Sequence, residues 1–276
     1  MSVKVERLVK TYDKTRALDD ISFEIQSGEI VGFLGPNGAG KSTTMKIITG
    51  CLASDSGDVF INGVNTKDNF KEIKKTIGYL PENNPLYLNM YVKEYLEYSA
   101  SMYLDSKKIN AAVENAIQAV GLSSHKSKRI GELSKGYKQR TGIARAIIHN
   151  PSILILDEPT TGLDPNQILE IRNLIKELGK EKTVILSTHI MQEAEAVCDR
   201  ALIINKGKIV ADDSLKNLKT KYTGDSTIVE FDLKNISGVD FQKKINEFAQ
   251  KEGFSILSIT KNKGNLENIF RELTTE

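Results

Sequence analysis

The chain has 276 residues, 39% of them hydrophobic and 27% charged, which suits one large globular domain or one domain with a small appendage. A net charge of +2 supplies no field that would favour nucleic acid or an anionic membrane surface. No apolar run nears the roughly 20 residues that span a bilayer, the N-terminus carries no secretory core, and Cys51 and Cys198 lack metal-ligand spacing, as expected of thiols in a reducing cytosol.

Residues 3–9, 21–25 and 59–61 read as short strands separated by turn residues, which predicts a mixed β layer at the N-terminal end. Tyr12 falls in the loop between the first two. There it can stack on an adenine ring or simply sit half-buried. Residues 30–34 form an apolar run with the character of a buried strand. After it come Gly35, Pro36, Asn37, Gly38, Ala39, Gly40, Lys41, Ser42 and Thr43, then a helix through residues 45–48. Strand, glycine loop and helix in that order are the context a phosphate-binding loop requires. Its glycines let backbone N–H groups approach an anion, and the helix N-terminus adds its positive end. Lys41 is placed to reach β- and γ-phosphates and Ser42 to ligate Mg²⁺, so the stretch implies a nucleoside triphosphate site.

From residue 87 to about 120 the pattern turns helical. Tyr91, Tyr95, Tyr98 and Met102 make one stripe, and Leu88, Val92, Leu96 and Ser99 make another. Both stripes can pack a small helical subdomain, or one can remain partly exposed to receive a partner's helix. A second helix is predicted over 109–120, ended by Gly121. Ser134 is placed as the N-cap of a further helix with Ile143, Ala144, Ile147 and Ile148 on one face, stopped at Asn150-Pro151.

Residues 152–156 are apolar without alternation, as in a strand covered on both faces, and they end in Asp157 and Glu158. Ligands of open α/β sheets bind at such carboxyl ends. That position suits Asp157 to Mg²⁺ and Glu158 to polarising an attacking water. Residues 183–188 repeat the pattern and end in His189, which is read as a contact to the γ-phosphate. A hairpin around Lys206-Gly207 follows, then a lysine-rich stretch, 215–225, read as a linker. Last comes a small α+β appendage over 226–276, with strands at 227–233 and 254–259 and helices at 241–250 and 266–273.

In this order the motifs resemble the ATP-binding subunit of an ABC transporter over about residues 3–214. They comprise Tyr12, the phosphate loop 35–43, a signature at 133–137, the carboxylate strand 154–158, a D-loop at Leu163-Asp164, and the switch His189. The hairpin and appendage resemble those of subunits serving ABC-2 type exporters, and residues 77–87 resemble the gliding-motility-associated subunits (GldA). The resemblance implies a P-loop NTPase of the ABC ATPase type with a mixed β subdomain and a helical subdomain at about 83–150. Its implied cofactors are ATP and Mg²⁺. It also implies pairing with a second copy or paralogue, so that each triphosphate lies between one phosphate loop and the other subunit's Ser134 and Gly136, with Asp164 nearby. The transported cargo would pass through a separate integral membrane permease, leaving this subunit cytoplasmic and peripheral on the inner face of the membrane; no nucleic acid partner is expected.

Two departures from the family pattern stand out. Glu82 occupies a position that usually carries glutamine; it can still offer Mg²⁺ an oxygen but cannot donate a hydrogen bond. Lys135 and Tyr137 replace a glycine and a glutamine of the signature, and Lys135 can add charge to the site or point to solvent. Competing readings are a soluble ABC ATPase acting on nucleic acid or the ribosome, and a nucleotide-gated scaffold with little turnover. A P-loop kinase would leave residues 133–137 and His189 unexplained.

Overall fold

A computed structural model of the protein describes residues 2–222 and 238–253. The chain forms two compact units, residues 1–219 and 220–276. In the first unit a four-stranded antiparallel sheet has the order β2-β1-β4-β5, from β1 (Val3–Tyr12), β2 (Thr15–Ile25), β4 (Ser56–Ile61) and β5 (Val64–Asn65). The second sheet is built from β3 (Ile30–Leu34), β6 (Ile77–Leu80), β7 (Ile153–Asp157), β8 (Thr183–Thr188), β9 (Arg200–Asn205) and β10 (Lys208–Ser214). Its order is β10-β9-β3-β8-β7-β6, parallel throughout except for the β9–β10 hairpin.

The unbroken apolar runs are explained by burial on both faces. Ile153 and Ile155 of β7 join Val31, Phe33 and Ile185 in a core shared with the antiparallel sheet and with α1 (Lys41–Ile48). Leu154 and Leu156 point the other way, into a core with Leu34, Val184 and Leu186. The helices α3 (Val92–Ser101), α4 (Ser106–Ala119), α5 (Lys135–Ile147), α6 (Pro165–Gly179) and α7 (Met191–Val197) cover that second face, and α2 (Phe70–Lys74) precedes β6. Each side chain buried in this way stabilises the fold by about 1.5–3 kcal/mol before conformational entropy is counted.

Register then places the chemistry. Leu34 of β3 is level with Thr188 of β8, and Asp157 of β7 with Ser187, so three strands release their loops at one edge.

Several expectations change. Tyr12 does not lie in a loop: β1 continues to it and it pairs with Thr15, because the turn at Asp13-Lys14 is short, with Asp13 at φ 48°. The first helix after residue 87 starts only at Val92, where the Glu94 carboxylate accepts the Tyr91 N–H at 3.1 Å. β6 lay unrecognised in the sequence. The stretch read as a linker, 215–225, opens as a helix, α8 (Leu215–Tyr222), with Leu218 buried in the core of the first unit. In the second unit α9 (Gly238–Glu252) extends the helix expected over 241–250. The strands expected at 227–233 and 254–259 and the helix at 266–273 lie outside the described residues.

Candidate active site

The loop after β3 starts α1 directly: Gly40 is its N-cap at φ 114°, a conformation that side chains rarely adopt, and an added Cβ would stand 2.7 Å from the Ala17 carbonyl. Ala39 N–H donates to Pro36 O at 3.1 Å, and Gly207 N–H of the β9–β10 turn donates to Ala39 O at 2.9 Å. A side chain at Gly35 would run into the Ile204 carbonyl of β9. The closing hairpin therefore braces the loop from behind, a role its sequence did not announce. Pro36, Asn37 and Gly38 stay exposed, with Gly38 at φ 78°, and Ser42 and Thr43 sit half-buried in the first turn of α1.

Lys41 is 5% exposed and turns back over the loop. Its Nζ donates to Gly35 O at 2.7 Å and Pro36 O at 3.3 Å, and lies 3.4 Å from Glu158 Oε1. Asp157, 1% exposed, accepts the Ser42 hydroxyl at 3.1 Å and the Ser187 hydroxyl at 2.5 Å, both on Oδ1. Its Oδ2 is buried with no hydrogen-bond partner among the described residues. An anionic oxygen left so is costly unless a cation or donor reaches it, and with Ser42 beside it the pair fits a hard divalent ion such as Mg²⁺.

Glu158 sits at φ 49°, held by its N–H to Ser187 Oγ at 3.0 Å. That strained backbone aims its carboxylate at Lys41, at the Thr161 hydroxyl (3.1 Å) and at His189 Nδ1 (3.0 and 3.1 Å to its two oxygens). His189 keeps 41% of its side chain exposed, against 7% for Glu158, so it is the partner on the open side. Ser187, Thr161, Thr160 and Thr188 escaped the sequence reading. The signal available was a pair of hydroxyls closing an otherwise apolar strand.

Glu82 is exposed just beyond β6, next to β7. The buried Tyr79 hydroxyl reports its neighbourhood: burial first, then the Asp157, Cys51 and Glu82 charges push it above the ordinary tyrosine range. Tyr12 is 45% exposed, with Lys10 Nζ 5.8 Å from its ring centroid, and no hydrogen bond or ion pair among the described residues joins it to the phosphate loop.

Ser134 caps α5, its Oγ accepting Tyr137 N–H at 3.5 Å, and Asp164 caps α6 by accepting Gln167 N–H at 2.9 Å. These two helix N-termini abut. A Cβ on Gly136 would meet the Gln167 side chain at 2.6 Å, and one on Gly162 would collide with the Lys135 ammonium. Lys135 therefore rests on the D-loop of its own chain. Tyr137 stacks on His125 at 3.9 Å and belongs to the helical subdomain. Among the described residues no hydrogen bond or ion pair links Ser134 or Gly136 to the phosphate loop of the same chain. The candidate residues thus fall into two groups with no such bond between them, the phosphate loop with the carboxylates and the paired ends of α5 and α6.

Comparison with known proteins agrees with this geometry. The ABC transporter family model matches residues 18–161. The bacitracin transport ATP-binding protein BcrA of Bacillus licheniformis is 36% identical, over 98% of this chain and 96% of its own. The linearmycin resistance ATP-binding protein LnrL of Bacillus subtilis is 32% identical, over 99% and 98%. Among solved structures, a dimeric post-hydrolysis ATP-binding cassette bound to ADP and Pi superposes with a TM-score of 0.71 at 27% identity, over 77% of this chain and 98% of that one. A family model covering more than half the chain, relatives aligned along its length and the same fold together make it a member of the ABC transporter family: an ATP-binding subunit, and an ATPase.

Proposed function

We propose that the chain hydrolyses ATP in a two-subunit sandwich that drives a separate membrane permease. The observation that carries this is the convergence of Lys41, Ser42, Asp157, Glu158 and His189 at the carboxyl edge of three strands, apart from the capped ends of α5 and α6. Loop N–H groups and Lys41 would hold the β- and γ-phosphates. Asp157 and Ser42 would hold Mg²⁺, with Glu82 as a further oxygen donor; the ion would draw off charge developing on the phosphoryl oxygens. Glu158 would take the proton of the attacking water, and His189, released from Glu158, would donate to the γ-phosphoryl group. Ser134 and Gly136 of the partner, with Asp164 beside them, would close the other side of the triphosphate. Tyr12 would lie under the adenine.

Tyr87, Leu88, Tyr91, Tyr98 and Met102 are exposed while Tyr95 turns into the core, so the helical subdomain offers an aromatic face suited to a permease. No helix among the described residues is long and apolar enough to cross a membrane, and in this proposal the other subunit would carry the span. Docked on it, the chain would lie at the cytoplasmic face. The exporter reading draws support from the hairpin and from relatives named for bacitracin transport and linearmycin resistance; gliding motility has only residues 77–87 in its favour. The test is Lys41→Ala. It should abolish tight ATP binding and ATP-induced dimers in sedimentation, and unchanged nucleotide affinity would refute the assignment.

A further inference from the structure

We propose that Glu193 is a positioning residue for hydrolysis, tying the strand end that carries Glu158 to the one that carries His189. This rests on the roles given to those two residues above. Glu193 lies in the first turn of α7 and is 2% exposed, although nothing in its sequence context marks it as more than a helical acid. One of its oxygens, Oε2, accepts two hydroxyls: Thr160 Oγ1 at 2.6 Å and Thr188 Oγ1 at 2.9 Å. Thr160 follows Glu158 by two residues, and Thr188 immediately precedes His189.

The threonine at 188 has a second duty. Its Oγ1 also accepts the Ile190 N–H at 3.1 Å, so the backbone on both sides of His189 is fixed to a hydroxyl that is itself fixed to Glu193. The other oxygen, Oε1, has no hydrogen-bond partner among the described residues and lies 4.0 Å from Arg172. Burying a carboxylate costs desolvation that two neutral hydroxyls and an arginine 4.0 Å away offset only in part, so packing alone does not call for a charge here. What it provides is a single charged acceptor through which the loops after β7 and β8 cannot shift independently. The Glu158–His189 contact spans those same two loops, and a displacement of about 1 Å at such a pair costs about 100-fold in rate.

The test uses the full chain, measuring phosphate release against ATP-Mg²⁺ concentration. Glu193→Ala should lower kcat by about 10- to 100-fold with KM for ATP within about threefold, since the phosphate loop and Lys41 are untouched. Glu193→Gln keeps an oxygen for both threonines and should recover most of that loss. Thr160→Val and Thr188→Val, for the case where Glu193→Ala does not fold, should each lower kcat with KM unchanged. Adding either to Glu193→Gln should cost less than the sum of the two alone. A parental kcat in Glu193→Ala and both valine variants overturns the proposal, as does a Gln variant no better than Ala with KM rising as kcat falls. Glu158→Gln and His189→Ala run alongside. If these two are as active as the parent, the functional assignment itself falls; if they are inactive while Glu193→Ala is not, only the positioning role does.

Discussion

Replacing Glu158 by Gln separates binding from chemistry, and the structure gives both effects a sign. Glu158 contacts the same two groups proposed to hold the γ-phosphate: Lys41 at 3.4 Å and His189 at 3.0 Å. In the proposed site it would therefore compete with ATP for these groups as well as serve as the base. Two unit charges 3.4 Å apart attract by about 5 kcal/mol at an effective dielectric of 20. Both side chains are almost fully buried, so desolvation offsets most of that. Lys41 also keeps its carbonyl partners, Gly35 and Pro36, when the charge is gone. A residual of about 1 kcal/mol tightens ATP binding about fivefold. Removing the base lowers kcat by about 10²–10⁴-fold. The Gln variant should therefore bind ATP-Mg²⁺ more tightly than the parent and accumulate as dimer in sedimentation, while its phosphate release nearly stops. Equal or weaker affinity for ATP would refute the competition argument. Parental turnover would refute the base.

Two further expectations address the frame rather than the reaction. Gly78→Ala puts a methyl into the Ala146 carbonyl at the end of α5 and 2.8 Å from Pro151, so urea unfolding should show a loss of about 1–3 kcal/mol; an unchanged midpoint would contradict that packing. His149 stacks on Tyr103 at 4.1 Å and donates from Nε2 to Ile77 O at 3.2 Å, and burial holds its pKa below the ordinary histidine value. The folded state then binds fewer protons than the unfolded chain, so this contribution is whole above about pH 6.5 and is lost progressively as pH falls from there through the lowered folded value. Thermal melts should show stability declining from about pH 7 to pH 5, and His149→Gln should flatten that slope.

How much of this was legible beforehand follows the range of each interaction. Residues 30–34, the loop 35–43, the strand ending at Asp157 and the strand ending before His189 were all readable, because each is a short local pattern closed by its own punctuation. Ser134 as a cap was readable for the same reason. β6 was missed because four residues with a glycine among them carry no period, and the strand exists only through pairing with β7. Tyr12 was misplaced because the polar run from Lys10 to Arg16 has the composition of a loop, although all of it but Asp13-Lys14 belongs to the paired strands β1 and β2.

The illegible part of the site is the part made of contacts between distant segments. Lys41 lying over Glu158, Gly207 propping Ala39, Lys135 resting on Gly162 and Glu193 gathering Thr160 and Thr188 each join residues that no local pattern couples. The motifs name the groups that would touch the triphosphate. The strand register sets Asp157 level with Ser187, so the loops after β7 and β8 leave side by side, and only then can one buried carboxylate reach both. Lys135 shows the same dependence in reverse. By composition it was a cation free to face either the phosphate or water, yet it lies against Gly162 because the N-termini of α5 and α6 abut. Its charge therefore travels with the D-loop. In the two-subunit sandwich proposed above, a motion that carried Ser134 toward the partner's triphosphate would carry Asp164 with it, because the ends of α5 and α6 abut.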